Sequence, residues 1–437
     1  MVKFSIKCLH CDLSIGGFKE WFGSNQRCPE CGSERADVVY TSTNRCVDDV
    51  KNRSYGNGEI WKYYDMLPLE NKNNIVSAGE GNVSVDRWEH LEEALKKTSG
   101  ISCRIYAHRH DNNSATGTFK DLAGSVVASV LKENGVDRYV VASTGNIGVA
   151  YARYLTDANI SLFAFIPNNS NRLQEAEISC FGQNVYRVDG DYTKTKEVAR
   201  AFAEKNNIQI AAGNFDPMRV EAKKTMVYDW IQQMPEFPNV YIQALSGGTG
   251  PIAIDKACRE LAVKLPRMVL VQSANCAPMA DAWASAKADG FPDGWENNYP
   301  VYHNPQTAIP TLATGYPRTY PVVSVIVKKS EGEIIAFPED LTANVARYIA
   351  YKQAVRMGPA AAVAVGGLLT SVRDGNVRDG DVVLLNVGEG IRRSPSFMEK
   401  LMYTKSMVKS AEDCDVSGTD SCRDELWNTI QDILSNS

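Results

Sequence analysis

The amino-acid sequence predicts an α/β protein with parallel-rich sheets in two α/β domains, preceded by a small cysteine ribbon. Three observations predict it. From about residue 100, short apolar runs alternate with longer amphipathic stretches, the pattern of strands and helices in layers. Two of the strands run into glycine-rich turns that open helices. Four of the eleven cysteines stand as two Cys-x2-Cys pairs ahead of all this.

Length and composition bound the rest. The 437 residues set a soft prior of about two to three domains and suffice to bury a sizeable core. Hydrophobic content is 44% and charged content 23%, ordinary for a globular chain. A net charge of −5 argues against a dedicated binder of nucleic acid or acidic membrane, but leaves room for a small anionic substrate. The N-terminus shows no apolar run or cleavage site of a secretory signal, and no stretch approaches ~18 consecutive apolar residues. No membrane span, a cytoplasmic location and a reducing compartment are therefore expected.

Along the chain, residues 1–40 form a separate unit: Cys8-x2-Cys11, a glycine-containing stretch, then Cys28-x2-Cys31. Residues 41–75 are polar and read as a linker. Tyr139–Ala142 reads as a strand, followed by a turn and a helix over Ile147–Asp157. Leu162–Ile166, Val185–Val188, Asn239–Leu245, Met268–Ser273 and Val382–Asn386 read as further strands. The tail from about 405 is polar and ends in an amphipathic stretch, Glu425–Leu434, expected to be helical.

Thiolates are soft ligands, and four at this spacing suit tetrahedral zinc. Cys8, Cys11, Cys28 and Cys31 are expected to hold a structural zinc ion; the alternative is four reduced thiols. His10 is read as exposed. A closed four-cysteine site has no position left for substrate, so no catalytic role is assigned to it.

The segment Ser114-Ala-Thr-Gly-Thr-Phe-Lys-Asp-Leu-Ala-Gly124 is the first candidate for chemistry. Lys120 follows small residues and precedes an apolar helix. A lysine in a partly desolvated pocket has a lowered pKa and can form an imine; an isolated lysine is otherwise a solvated surface charge. Two turns join it: Ala142-Ser143-Thr144-Gly145-Asn146 and Ser246-Gly247-Gly248-Thr249-Gly250. Backbone N–H groups at such turns converge on anions, helped by the helix dipole. Two anionic groups around one cofactor are implied.

At this point a family resemblance enters. Thr118-Phe119-Lys120-Asp121 resembles the lysine motif of threonine synthase and its relatives among the fold-type II enzymes that use pyridoxal 5′-phosphate (PLP), whose architecture is like that of the tryptophan synthase β-chain. Ser143–Asn146 resembles the family's substrate-carboxylate loop, whose Asn also contacts the cofactor. Ser246–Gly250 resembles its cofactor-phosphate loop. Gly79-Glu80-Gly81-Asn82 and Arg219-Val-Glu-Ala-Lys-Lys-Thr225 resemble two further family segments, in the same order over about residues 75–395. Gln243–Gly250, Pro359–Val365 and Leu384–Asn386 also resemble cysteate synthase. The chain departs from the family where Thr-Pro is replaced by Val83-Ser84, and where Thr-Gly-His-Gly is replaced by Val387-Gly388-Glu389-Gly390. The missing Thr normally bonds the pyridine nitrogen, and Asn386 or Glu389 is left as its substitute.

The resemblance implies PLP bound to Lys120, with Asn146, Ser246, Gly247, Gly248, Thr249, Gly250, Asn386 and Glu389 as cofactor contacts. It implies Ser143, Thr144, Gly145 and Asn146 around the substrate carboxylate. The substrate phosphate is expected near Lys223, Lys224, Arg172, Ser84 or Thr116; each cation has an alternative as an ordinary solvated helix charge. His108 and His110 could line the cleft, with a structural or exposed role as the alternative. Cys103, Cys180, Cys258 and Cys276 read as buried small hydrophobes. A smaller mobile domain is expected at about 125–230, inserted in a larger one from 75–124 plus 231–405, within a catalytic unit of 41–437 whose residues 406–437 form the tail. The implied reaction is phosphate elimination or replacement on an O-phospho amino acid, O-phosphohomoserine plus water giving threonine in the first case. O-phosphoserine plus sulfite, or another phosphorylated or phosphonate amino acid, is the alternative. A homodimer is expected on the same ground. Rival classes are a zinc-ribbon binding module on an inactive PLP fold and a metalloenzyme using the cysteines.

Overall fold

The computed structural model describes residues 2–42, 46–53, 59–168, 170, 172–401, 409–413 and 419–435, with backbone alone at 419–422. At the N-terminus β1 (Phe4–Cys8), β2 (Ser14–Ile15) and β3 (Ala36–Tyr40) form an antiparallel ribbon in the order β2-β1-β3. Phe4, Ile6 and Cys8 are buried while Ser5 and Lys7 are half-buried, the period-two pattern of a strand with one covered face. Phe18, Trp21 and Phe22 of a short helix complete its core.

The stretch that follows is more than a linker. Ile60, Trp61, Tyr63, Met66, Leu67 and Leu69 are buried, and Trp61 Nε1 donates to Ser125 Oγ at 2.8 Å. The first four of these lie in a 3-10 segment, Ile60–Met66, whose spacing matches neither the strand nor the α-helix period. Residues 43–45 and 54–58 of the predicted linker lie outside the described residues.

Next come β4 (Val85–Arg87) and β5 (Arg104–His108). A four-stranded, wholly parallel sheet follows from β6 (Arg138–Ala142), β7 (Ser161–Pro167), β8 (Asn184–Val188) and β9 (Gln209–Ile210), ordered β8-β7-β6-β9. The chain then adds β10 (Val240–Ala244), β11 (Arg267–Ser273), β12 (Glu333–Phe337) and β13 (Val382–Asn386). With β4 and β5 these form a six-stranded sheet, β12-β11-β10-β13-β5-β4, parallel except at the β4–β5 edge. All five residues of β13 are buried, which is why it reads as an unbroken apolar run: helices cover both faces of a central parallel strand.

The helix Lys120–Glu133 lies against the helices Asn146–Asp157 and Pro217–Gln233. Its residues Asp121–Leu131 are all buried, as expected of a helix that is apolar nearly all round. Helix Pro217–Gln233 starts on Asp216, whose carboxylate accepts from Met218 N at 2.9 Å, with Pro217 in the first turn. The terminal helix, Thr419–Ser435, packs on helix Pro359–Arg373 through Leu426, Ile430, Ile433 and Leu434. Residues 406–408, 414–418 and 436–437 of the predicted tail lie outside the described residues. Cys103, Cys258 and Cys276 are buried, but Cys180, at the end of helix Arg172–Cys180, is exposed. Among the described residues no helix is long and apolar enough to cross a membrane.

In both sheets the loops of chemical interest leave the carboxyl ends of parallel strands: 143–146 after β6, 246–250 after β10 and 387–390 after β13. Ligands of open α/β sheets bind at such ends.

Candidate active site

The turn ahead of Lys120 is fixed from within. Asp121 accepts from Thr116 N (2.8 Å) and Thr116 Oγ1 (2.6 Å), and Thr118 Oγ1 accepts from Lys120 N (3.1 Å). Burial pushes the Asp121 carboxyl up to about 6, against the hydrogen bonds from Thr116. The same turn pairs with the loop after β13: Phe119 N donates to Gly388 O and Gly390 N to Gly117 O, both at 3.1 Å. Lys120 and Glu389 are thereby neighbours.

Lys120 is half-buried, and its Nζ lies 4.3 Å from the centroid of the Phe119 ring. Lys223 Nζ lies 4.5 Å from the same centroid. Desolvation first, then the Arg219 guanidinium, bring the Lys120 amine down to about 7, opposed by Glu389 and by a hydrogen bond with Lys223. Lys223 is held well below its ordinary range by burial, then by the charges of Lys120 and Arg219. Two packed amines thus stand side by side, with Lys223 the natural acceptor for a proton on Lys120. A depressed lysine of this kind is a nucleophile toward carbonyl carbon at neutral pH.

The turn 246–250 is built for a close approach. Gly248 is the helix N-cap with φ +81°, and a Cβ on Gly247 would stand 1.9 Å from Asn214 Nδ2. Thr249 Oγ1 donates to Asn214 Oδ1 (2.9 Å), Thr319 Oγ1 donates to Gly247 O (2.8 Å), and Ser246 Oγ pairs with Thr314 Oγ1 (2.8 Å). The amides of Gly247, Gly248, Thr249 and Gly250 make no backbone hydrogen bond among the described residues. A row of free N–H groups at a helix start fits a phosphate.

Asn386, the last residue of β13, is buried against the Tyr241 phenol, and beyond that neighbour its amide N and O have no hydrogen-bond partner among the described residues. An orphaned buried polar group costs about 1–3 kcal/mol, so a partner from a bound molecule is the natural completion. Glu389 differs. Its oxygens accept from Asn146 Nδ2 (2.8 Å) and Ala360 N (3.0 Å), and burial pushes its carboxyl up, against those hydrogen bonds and the charges of Arg393 and Lys120. Asn146 Oδ1 accepts from Arg393 Nε at 3.1 Å. Ser143 Oγ is committed to its own loop: it donates to Gly145 O and accepts from the amides of Gly145 and Gly148. Thr144 is half-buried. The structure therefore brings together Lys120, Lys223, Asn146 and Glu389, with Asn386 at the same strand end.

Other sequence candidates lie elsewhere. Lys224 is buried in a network facing the ribbon, not the lysine pair. Its Nζ meets Glu221 (2.6 Å) and Glu260 (2.9 Å), beside Lys256, which meets Asp37 (2.5 Å), Glu260 (3.1 Å) and Glu221 (3.2 Å). Tyr40 donates to Glu221. Burial notwithstanding, Lys224 and Lys256 hold Glu260 down at about 2. Neither Lys223 nor Lys224 is a solvated helix charge. Thr116 serves Asp121, as described. Ser84 and Arg172 are exposed, and no side-chain bond joins either to the lysine pair. Glu80 is buried and accepts from Ala78 N and Tyr154 Oη, both at 2.9 Å, so its segment braces the lysine helix. His108 and His110 are buried with ring centroids 3.9 Å apart and planes tilted by 47°, and His108 Nδ1 accepts from Trp230 Nε1. Sequence reasoning missed Arg393, whose only signal was a basic pair, Arg392-Arg393, directly after the last glycine turn.

In the ribbon, Cys8–Cys31 and Cys11–Cys28 Sγ atoms stand 3.6 and 3.5 Å apart, and all four lie within 4.8 Å of one another. Thiolates ~2.3 Å from a tetrahedral zinc stand about 3.8 Å from each other. The donor set fits that ion.

Parallel-rich α/β sheets with a packed amine and a glycine-rich turn at strand ends are the architecture of a fold-type II PLP enzyme. The chain belongs to the pyridoxal-phosphate dependent enzyme family, whose model matches residues 86–388. It is an enzyme of the PLP-dependent lyase and synthase kind. It is 24% identical to the threonine synthase of Methanocaldococcus jannaschii over 390 residues, covering 84% of this chain and 92% of that one. It is 25% identical to the cysteate synthase of Methanothrix thermoacetophila over 452 aligned residues, covering all of both chains. Among solved structures, cysteine synthase from Entamoeba histolytica superposes with a TM-score of 0.60 at 14% identity, over 83% of this chain and 94% of that one. That last likeness is one of fold.

Proposed function

We infer that the protein eliminates or replaces phosphate on an O-phospho amino acid, as a threonine synthase-like enzyme that holds PLP on Lys120. The observation that carries this reading is the Lys120 amine, brought down to about 7 next to Asn146 and Glu389. When bound, the cofactor supplies a sink for the electron pair left as the substrate's Cα–H bond breaks. Lys120 Nζ would hold it, and the same amine, when free, would move the proton at the substrate's Cα. Lys223 Nζ, already a hydrogen-bond partner of Lys120, takes the ammonium form's proton contact and keeps the amine aimed. The free amides of 247–250 grip the cofactor phosphate, and the loop 143–146 receives the substrate carboxylate. Asn386, whose amide has no partner beyond the Tyr241 phenol, would be the partner of the pyridine nitrogen in preference to Glu389, whose oxygens are already bonded. A neutral amide there gives a weaker sink than a carboxylate would.

A second reading is favoured by one observation: the likeness to cysteate synthase extends over the whole chain, whereas that to threonine synthase covers 84% of it. Under it, O-phosphoserine and sulfite replace O-phosphohomoserine and water; another phosphorylated or phosphonate amino acid is the remaining variant. The smaller domain, about 125–230, closes on the larger to exclude water from the reacting carbon. The four cysteines hold structural zinc, and the protein works as a cytoplasmic homodimer.

Phosphate release from each of the two phospho amino acids, with and without sulfite, tests the reading. Release from O-phosphohomoserine without sulfite supports the first, and sulfite-dependent release from O-phosphoserine the second. Release from neither discards both.

A further inference from the structure

We propose that the cysteine ribbon braces the turn 246–250, with Gln26 as a positioning residue: it fixes strand β9, whose continuation carries Asn214 against that turn. This rests on the reading that the turn grips the cofactor phosphate, and goes beyond it by giving the ribbon a part in holding the cofactor.

Gln26 stands just ahead of Cys28 and is 5% exposed. Its backbone holds φ at +57°, a region that disfavours any residue larger than glycine. A residue persists there where its surroundings fix it, and here the side chain is held. Gln26 Nε2 donates to Ile210 O at 2.7 Å and to Gln209 Oε1 at 3.2 Å, and Gln209 Nε2 donates back to Phe22 O of the ribbon at 3.0 Å. Strand β9 is two residues long and ends its sheet, so pairing with β6 alone holds it weakly. Ala211 N bonds Val140 O of β6. Strand alternation then turns the Ile210 carbonyl to the open edge, where Gln26 meets it.

From β9 the short stretch 211–213 leads to Asn214, in the 3-10 turn Gly213–Phe215. Asn214 Oδ1 accepts from Thr249 Oγ1 at 2.9 Å, and its amide packs so closely on Gly247 that a Cβ there would stand 1.9 Å from Nδ2. Arg219 Nη1 ties the same bend by donating to Gly213 O at 2.6 Å. The ribbon touches this bend directly as well, since the Arg35 guanidinium lies 5.7 Å from the Phe215 ring centroid. The turn has a second prop, Thr319 Oγ1 donating to Gly247 O at 2.8 Å, and the adjacent Arg318 meets Glu34 of the ribbon at 3.2 Å. Both segments that shore up the turn therefore touch the ribbon beside its second cysteine pair. The Glu34–Arg318 pair is too exposed to contribute much, so the buried Gln26 contact carries the link.

The test compares binding of PLP with that of pyridoxal, which carries the same aldehyde without the phosphate, by equilibrium dialysis of the full chain. Gln26→Gly removes the amide and suits φ +57°, so the ribbon's own backbone is relieved and not strained. Gln209→Ala removes the contact from the other side and leaves the ribbon's sequence intact. Each should weaken PLP binding by about threefold to tenfold, the loss of one net hydrogen bond. Pyridoxal binding should stay within about twofold, whereas a general loss of structure would weaken both ligands alike. Unchanged PLP affinity in both variants, or equal losses for PLP and pyridoxal, overturns the brace. Gly247→Ala separates this inference from the reading beneath it. If that variant loses PLP affinity while Gln26→Gly and Gln209→Ala keep it, the turn grips phosphate and the ribbon has no part in the grip. If Gly247→Ala binds PLP as tightly as the parent, the grip itself falls and the brace falls with it.

Discussion

Loading of the apo-protein with PLP should follow a titration centred near neutrality. An ordinary lysine, at 10.5, is uncharged in roughly one molecule in 3,000 at pH 7, whereas Lys120, at about 7, is uncharged in about half. The local environment thus supplies on the order of a thousandfold more free amine. The direction follows from the surroundings: burial penalises the ammonium, and Arg219 adds a like charge. The assay mixes apo-protein with PLP from about pH 5.5 to about 9.5 and follows the visible absorbance of the lysine-bound cofactor. The rate should fall about tenfold per unit below the amine's pKa and level off above pH 8. Arg219→Gln should move the midpoint upward, because a lowering charge is removed. The same linkage predicts that the apo-protein gains stability as pH rises from about 7 toward 10.5, since the unfolded chain keeps a proton that folded Lys120 has released. A loading rate still climbing tenfold per unit above pH 8 would refute the reasoning.

Four further outcomes are expected. Gly247→Ala puts a methyl 1.9 Å from Asn214 Nδ2 and should weaken PLP affinity at least about tenfold in equilibrium dialysis; unchanged affinity would show that the turn does not grip the cofactor. Lys224→Met removes one partner of a buried network and should cost about 3–5 kcal/mol in urea unfolding. In the parent protein Glu260 should lose its share of stability as pH falls from 4.5 to about 2, a loss absent from Glu260→Gln. A strong chelator should strip zinc from the ribbon and lower the thermal midpoint, with Trp21 fluorescence reporting the loosened ribbon core; a midpoint indifferent to metal would count against a structural ion.

Much of this arrangement is legible in the sequence because backbone chemistry writes it there. The strands β6, β7, β10, β11 and β13 are buried on both faces and appear as apolar runs. The turns at 143–146 and 246–250 need small residues, so they appear as glycines. β5 was missed because only three residues separate Arg104 from His108, too short an apolar run to stand out, and β9 because two residues make no pattern. Side-chain direction is what the sequence withholds. Lys223 and Lys224 are adjacent in sequence, but about 100° of helical rotation turns one to Lys120 and the other to the ribbon. Thr116 and Ser143 carry hydroxyls of the expected type, yet local hydrogen bonds commit both to their own turns. Arg393 acquires meaning only when the chain folds it against Asn146.

The nearness of Lys120 and Lys223 makes the central claim open to one direct measurement. Reduction of the PLP-loaded protein with borohydride fixes the cofactor to whichever amine carries it, and peptide mass mapping then locates the added group. The account predicts the label on Lys120 alone, and none in Lys120→Arg. A label on Lys223 in the parent protein, or none at all, would contradict it.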